Sequence, residues 1–211
     1  MSQRDIPHYD FSIIDTIRAG FELFAKNPGV FIVYLIIGWV VSWFVSHIPF
    51  LGAPMGLLVG TLHALGFYVL VHRTHERGGA KIEECLDAVD LFGQASLILL
   101  VRSCLIFLGC LALLLPGIYL WVAYSLAMPV LIVEKWKFWE ALEQSRRLIT
   151  RRWFKVVLFW ITILVLNLLG FLALGIGILF TVPTSYAALY LLYRDIRRKT
   201  LAPAPLEPVV L

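Results

Sequence analysis

The sequence predicts an all-α polytopic membrane bundle of six transmembrane helices arranged as three hairpins, with amphipathic helices on the cytoplasmic side. Three observations predict it. Apolar residues make up 60% of the 211 residues and charged residues only 15%, against roughly 25% charged in an average soluble domain. The apolar residues gather into six runs, near the length of about 20 residues that a bilayer requires. The basic residues crowd into alternate connections between those runs, and the other connections hold none.

Composition excludes a disordered chain, a collagen-like chain and a disulfide scaffold. A soluble globule of this length could not hide so much apolar surface, so lipid must cover part of it. The cysteines Cys85, Cys104 and Cys110 form no C-x-x-C pair and read as small core residues. The formal charge of +4 is too small to point to nucleic acid, and no nucleic-acid partner is expected.

Residues 1–28 form a cytoplasmic N-terminal segment. Its scattered charges leave no apolar stretch for a cleaved signal peptide. Ile13, Ile14, Ile17, Phe21 and Phe24 recur at helical spacing, with Asp15, Arg18 and Glu22 between them, which predicts an amphipathic helix. Residues 29–195 form the membrane domain. Its runs are Val30–Ile48, Leu51–Val71, Gly93–Leu115 (interrupted by Arg102), a short Ile118–Val133, Val156–Phe171 and Ala173–Tyr193. Pro129 and Pro183 should bend the fourth and sixth runs, since each removes a backbone donor. The turns at His47–Phe50, Leu115–Gly117 and Leu169–Gly170 carry no Lys or Arg. The other segments carry three, three, seven and four basic residues in chain order, all but Arg102 of the eighteen. Basic segments resist translocation, so both termini are expected in the cytoplasm.

The third basic segment also reads as a surface helix. Trp136, Trp139, Leu142, Ile149 and Trp153 form its apolar stripe, and Arg146, Arg147, Arg151 and Arg152 its basic face. Anionic headgroups would attract that face, or the helix would only cap the bundle. A faint repeat accompanies this pattern. Asp15-Thr16-Ile17 precedes the first hairpin as Glu140-Ala141-Leu142 precedes the third, and Glu84-Cys85-Leu86 stands for the second. Three such units would surround a pseudo-threefold axis. Residues 196–211 form a cytoplasmic tail, Pro-rich from Ala202 to Pro208 and extended.

Arg102 is the single charge inside a run, together with the polar His63 and Asn167 it makes up the candidate intramembrane site. A charge at the bilayer centre costs about 2.5–3.5 kcal/mol on insertion scales, which marks it as functional by default. The competing readings are snorkelling to headgroups and a late start of the third helix. Gly52, Gly56, Gly60 and Ala64 recur every four residues on the second run, and Gly38, Ser42 and Ser46 on the first. Small residues at this spacing let backbones approach, which predicts that the two faces meet within hairpin one or in a homo-oligomer.

The chain has no H-E-x-x-H, G-x-S-x-G or P-loop, and no carboxylate pair within a run. Neither a catalytic residue, a metal site nor a cofactor is expected. His72-x-x-His75-Glu76 lacks the further ligands of a metal set.

Three stretches carry a resemblance: Pro116-Gly117-Ile118-Tyr119-Leu120, Glu140-Ala141-Leu142-Glu143-Gln144-Ser145-Arg146-Arg147-Leu148, and the Gly-rich run ending in Pro183 and Tyr193-Arg194-Asp195. The region resembles bacterial six-helix membrane proteins of unknown function, a group that includes the membrane domain of some glycerophosphoryl diester phosphodiesterases. The resemblance implies a bacterial inner-membrane location and six helices, and no chemistry, since the catalytic barrel beside such domains is absent from this sequence. The expected role is a non-enzymatic scaffold or accessory subunit that binds membrane proteins or organises lipid. The alternative is a transporter, channel or lipid passage for a small or anionic substrate.

Overall fold

The computed structural model describes residues 9–49, 52–173 and 175–201. Among the described residues the protein is all-helical. Its α-helices are α1 (Ile13–Ala25), α2 (Pro28–Ser46), α3 (Gly52–Arg77), α4 (Phe92–Ala112), α5 (Leu114–Ala123), α6 (Ala127–Glu134), α7 (Phe138–Thr150), α8 (Trp153–Leu172) and α9 (Ile178–Leu201), with 3-10 turns at Ile82–Leu86 and Val89–Leu91. Five stretches are long and apolar enough to cross a membrane: α2, Met55–Arg77, Ile82–Ala112, Leu114–Glu134 and α8. The sixth expected span corresponds to α9. The helix starts at Ile178, five residues later than expected, so only residues 178–193 of it lie before its charged stretch of Arg194, Arg197, Arg198 and Lys199. The tail expected from residue 196 is therefore helical as far as Leu201, and its Pro-rich part lies outside the described residues, as does Arg4.

Local chemistry sets the helix ends. Pro28 opens α2 where a missing N–H costs nothing. The fourth run is one apolar stretch in sequence but two helices in space. Pro129 lies in the first turn of α6, and its ring excludes the carbonyl four residues back, so the helix breaks at Tyr124–Leu126 rather than bending. The break leaves an orphan carbonyl and an orphan N–H. Ser145 of α7 takes both: its hydroxyl donates to Ala123 O at 2.7 Å and accepts from Leu126 N–H at 3.1 Å. Lys135 ends α6 in the left-handed region, at φ 55°.

The elements follow a cyclic order. α2 packs on α3, α4 on α5, and α8 on α9. The inner helices α3, α6 and α9 meet one another at the centre. Each outer helix also touches the preceding pair: α2 touches α9, α4 touches α3, and α8 touches α5, the half-helix that leads into α6. The short leading elements obey the same rule. α1 lies on α9, the Ile82–Leu86 turn on α3, and α7 on α5 and α6.

Their starts are alike as well. Asp15 N–H donates to Ser12 Oγ at 3.3 Å, while the Glu84 and Glu140 carboxylates accept from Lys81 N–H at 3.1 Å and Lys137 N–H at 3.4 Å. Each is a cap with an acid three residues on. α1 and α7 are both 13 residues long. Gly20 of α1 takes the place that Ser145 holds in α7: a Cβ there would lie 2.8 Å from the backbone N of Ala188 on α9. The middle unit departs from this pattern, with two short turns where the others have a helix.

Packing is uneven along the bundle. Residues 65–71 of α3 are all buried, as are Ala187–Tyr190, Leu192 and Tyr193 of α9. Toward the opposite end Phe107, Leu108 and Leu111 of α4 and Leu164, Leu168 and Leu169 of α8 stand exposed. The charged segments converge on the packed end. Asp10 pairs with Lys155 and Lys199 Nζ reaches Asp10 O, Glu76 lies 3.9 Å from Arg194, and Glu134 pairs with Arg197.

Two apolar stripes are rotated from expectation. In α1 the buried residues are Gly20, Leu23 and Phe24, while Ile14 and Phe21 point outward. In α7 they are Ala141, Leu142, Ser145, Leu148 and Ile149, with Trp136 and Trp139 exposed. Large apolar residues lie on both faces of these helices, so periodicity alone could not choose between them. Cys104 and Cys110 are exposed on α4 rather than in the core, and only Cys85 is half-buried.

Candidate functional site

Arg102 sits midway along α4, about 15 Å from either end at 1.5 Å per residue. The helix therefore starts too early for Arg102 to lie at its mouth. Arg102 lines a cavity of about 360 Å³ between α3, α4, α6, α8 and α9. Among the described residues Arg102 has no hydrogen-bond or ion-pair partner, and no carboxylate lines the cavity. Tyr68 lines the same cavity.

Other polar groups join it. Ser125 stands at the α5–α6 break, Trp160 and Asn167 on α8, and Ser185 and Tyr186 on α9. Ser125 Oγ, Trp160 Nε1 and Asn167 Oδ1 are buried without a partner, an arrangement that costs about 1–3 kcal/mol per group if nothing fills it. The Asn167 amide is locked, donating to Ile163 O and Ser185 Oγ, both at 2.9 Å. The rest of the wall is apolar: Ala64, Leu99, Met128, Ile163, Val182 and Leu189.

The local sequence explains the convergence. Trp160, Ile163 and Asn167 fall on one face of α8 by helical spacing, and Val182, Ser185, Tyr186 and Leu189 on one face of α9. Toward the packed end Tyr190, Leu192 and Tyr193 are fully buried.

Of the three polar residues expected to form an intramembrane site, the structure unites Arg102 and Asn167 and leaves His63 apart. His63 stacks on Tyr34, with ring centroids 4.8 Å apart and planes 12° from parallel, on the side of α3 that meets α2. Sequence reasoning missed Ser125, Trp160 and Tyr68. Polar atoms at mid-run positions were the available signal, but spacing does not say which helices meet.

The small-residue faces come close within the chain at some positions and not at others. A Cβ at Gly38 would overlap the His63 ring, and one at Gly52 would lie 3.0 Å from Ser46 O. Gly56 and Gly60 have nothing within 4 Å, Ala64 lines the cavity, and Ser42 is half-buried. The close approach expected at Gly56 and Gly60 is absent because aromatic contacts hold α2 to α3 instead: Phe31 on Phe67, and Tyr34 on His63.

The basic face of α7 is engaged within the chain. Arg146 grips Glu143 with two hydrogen bonds of 2.8 and 2.7 Å, Arg147 adds one of 2.8 Å, and Arg152 donates to Tyr9 O at 2.9 Å. Arg151 adjoins them and also has a partner. Arg146 first, and then Arg147, holds the Glu143 carboxyl down to about 2. Burial raises the Tyr9 hydroxyl above its usual range, and that hydroxyl donates to Leu148 O at 2.6 Å.

Among the described residues no group of three or more His, Cys, Asp and Glu side chains could hold a metal ion. Comparison with protein-family models, curated proteins and solved structures found no match to this chain.

Proposed function

We propose that this protein spans the membrane six times with both termini in the cytoplasm, and that its Arg102 cavity binds an anionic amphiphile from the bilayer as a step in that molecule's passage. Convergence of all four charged segments on one end of the bundle supports the even number of spans, with α9 as the sixth. The binding reading rests on one observation: among the described residues, Arg102 lines a mid-bundle cavity without a hydrogen-bond or ion-pair partner, beside three unpartnered polar atoms and no carboxylate. A charge there is costly unless a ligand offsets it. The mainly apolar wall suits the chain-bearing end of an amphiphile, and the guanidinium suits a phosphate or carboxylate. A scaffold has no need of such a cavity, so we favour passage over the scaffold role. A bacterial inner-membrane location and kinship with the six-helix proteins named above belong to the same proposal.

The test is thermal unfolding of the purified chain with added phosphatidylglycerol or phosphatidylcholine. A site filled at 100 times its Kd adds about 2.7 kcal/mol of stability. Wild type should gain from phosphatidylglycerol alone, and Arg102→Gln should lose that gain. Equal stabilisation of both proteins would overturn the proposal.

A further inference from the structure

We infer that the Arg102 cavity selects a lipid phosphodiester whose headgroup carries hydroxyls and no ammonium, and that Asn167 is the residue that reads the hydroxyl. The inference rests on the binding role proposed for this cavity and adds the class of its ligand.

The charge pattern carries the first half. Zwitterionic headgroups bring an ammonium beside their phosphate. No carboxylate lines the cavity to receive it, and Arg102 would repel it in a medium that screens poorly. A headgroup with only a phosphodiester charge meets no such penalty. Its oxygens accept, and the guanidinium, Trp160 Nε1–H and the Ser125 hydroxyl can all donate.

The second half comes from Asn167. Both its amide hydrogens are committed, one to Ile163 O and one to Ser185 Oγ. Ser185 is itself anchored, donating to Thr181 O at 2.7 Å. The side chain therefore cannot turn, and Oδ1 is left as a fixed, buried acceptor without a donor. A phosphodiester has no proton to give it, whereas a headgroup hydroxyl has. Trp160 and Asn167 stand seven residues apart on one face of α8, about 10 Å along the axis. That separation fits a phosphate at one end and a short hydroxylated arm at the other. The cavity volume of about 360 Å³ holds a headgroup and its first carbons but not two acyl chains. The chains would extend past the loosely packed half of the bundle, where α4 and α8 expose their apolar sides.

Native mass spectrometry of the full chain with three lipids of matched acyl chains tests this. Phosphatidylglycerol has one negative charge and two headgroup hydroxyls, phosphatidylmethanol has the same charge without hydroxyls, and phosphatidylethanolamine carries an ammonium. Wild type should bind phosphatidylglycerol about two- to tenfold more tightly than phosphatidylmethanol, the worth of one hydrogen bond. Phosphatidylethanolamine should bind about tenfold more weakly than either. Asn167→Leu should erase the difference between the two anionic lipids, chiefly by weakening phosphatidylglycerol. Ser185→Ala, a milder change that frees the amide to turn, should narrow the same difference. Arg102→Gln should weaken both anionic lipids together. Equal binding of the two anionic lipids by wild type, or a uniform loss in both Asn167→Leu and Ser185→Ala, overturns the role of Asn167. Equal binding of phosphatidylethanolamine overturns the exclusion of ammonium. In those cases the binding role itself stands if Arg102→Gln still loses both anionic lipids, and it falls if that variant binds them as wild type does.

Discussion

Replacing Gly20 should loosen the whole bundle, because α1 and α9 touch backbone to backbone at that point. A methyl added there would lie 2.8 Å from Ala188 Cβ and N and 2.9 Å from its Cα. Ordinary carbon contacts lie at about 3.5–4.0 Å, so α1 must withdraw by roughly 0.7 Å or more. A gap of that size forfeits about a quarter to a half of each dispersion contact along the seam. Strain of this kind costs about 1–3 kcal/mol, while Gly→Ala in a helix returns about 1 kcal/mol. Gly20→Ala should therefore destabilise by about 0–2 kcal/mol net, and Gly20→Leu by more. Gly56→Ala and Gly60→Ala provide the control, because nothing lies within 4 Å of either added methyl. They keep the helix gain without the strain. Thermal unfolding of all four variants in one lipid mixture should rank Gly56→Ala and Gly60→Ala at or above wild type, then Gly20→Ala, then Gly20→Leu. A Gly20→Leu protein that melts with wild type would refute the α1–α9 contact. A Gly56→Ala protein that melts well below wild type would restore the small-residue seam the sequence suggests.

Three further outcomes follow from local chemistry. Ser145→Ala strands Ala123 O and Leu126 N–H at the α5–α6 break, which should cost about 2–4 kcal/mol in chemical denaturation; a loss below about 0.5 kcal/mol would mean water serves both groups. Glu143 is depressed in the folded protein, so its contribution is complete above the unfolded value of 4.5 and fades as pH falls toward about 2. The melting difference between wild type and Glu143→Gln should accordingly be present at pH 6, at about 1 kcal/mol or less, and shrink by pH 3; a difference that grows on acidification would reverse the assignment. Lys135→Gly relieves a left-handed residue at the end of α6 and should stabilise by about 1 kcal/mol, read as a higher melting temperature.

The helical class and the positions of most helices were legible in the sequence, because run length and composition report directly on what can face lipid. Arg102 was legible too, as the lone charge within a run. The helix break was half legible. Pro129 announces a disturbance, but only the packed structure shows Ser145 satisfying the freed groups and turning a bend into a gap. Faces were the least legible part. Ile14 and Phe21 compete with Leu23 and Phe24 for the inner side of α1, and the α9 backbone decides because Gly20 alone allows close approach. The cavity was invisible as a unit, since Ser125, Trp160 and Asn167 belong to segments whose meeting depends on the cyclic order of the helices. The small-residue pattern is met within the chain at Gly38 and Gly52 but not at Gly56 and Gly60, since spacing permits close approach without requiring it.

The cyclic order also has a consequence for synthesis. Among the described helices α1 is made before the others, yet its seat is on α9, which is made after them. The Gly20–Ala188 contact joins residues nearly a whole chain apart, so it cannot form until almost all of the protein has been made. Until then α1 has no partner for its buried stripe. The ring thus closes in one late step, with Asp10 meeting Lys155 and Lys199 as it does so. Loss of the end of α9 would leave α1 undocked at the opposite terminus, so a truncation there should expose the N-terminal helix to protease.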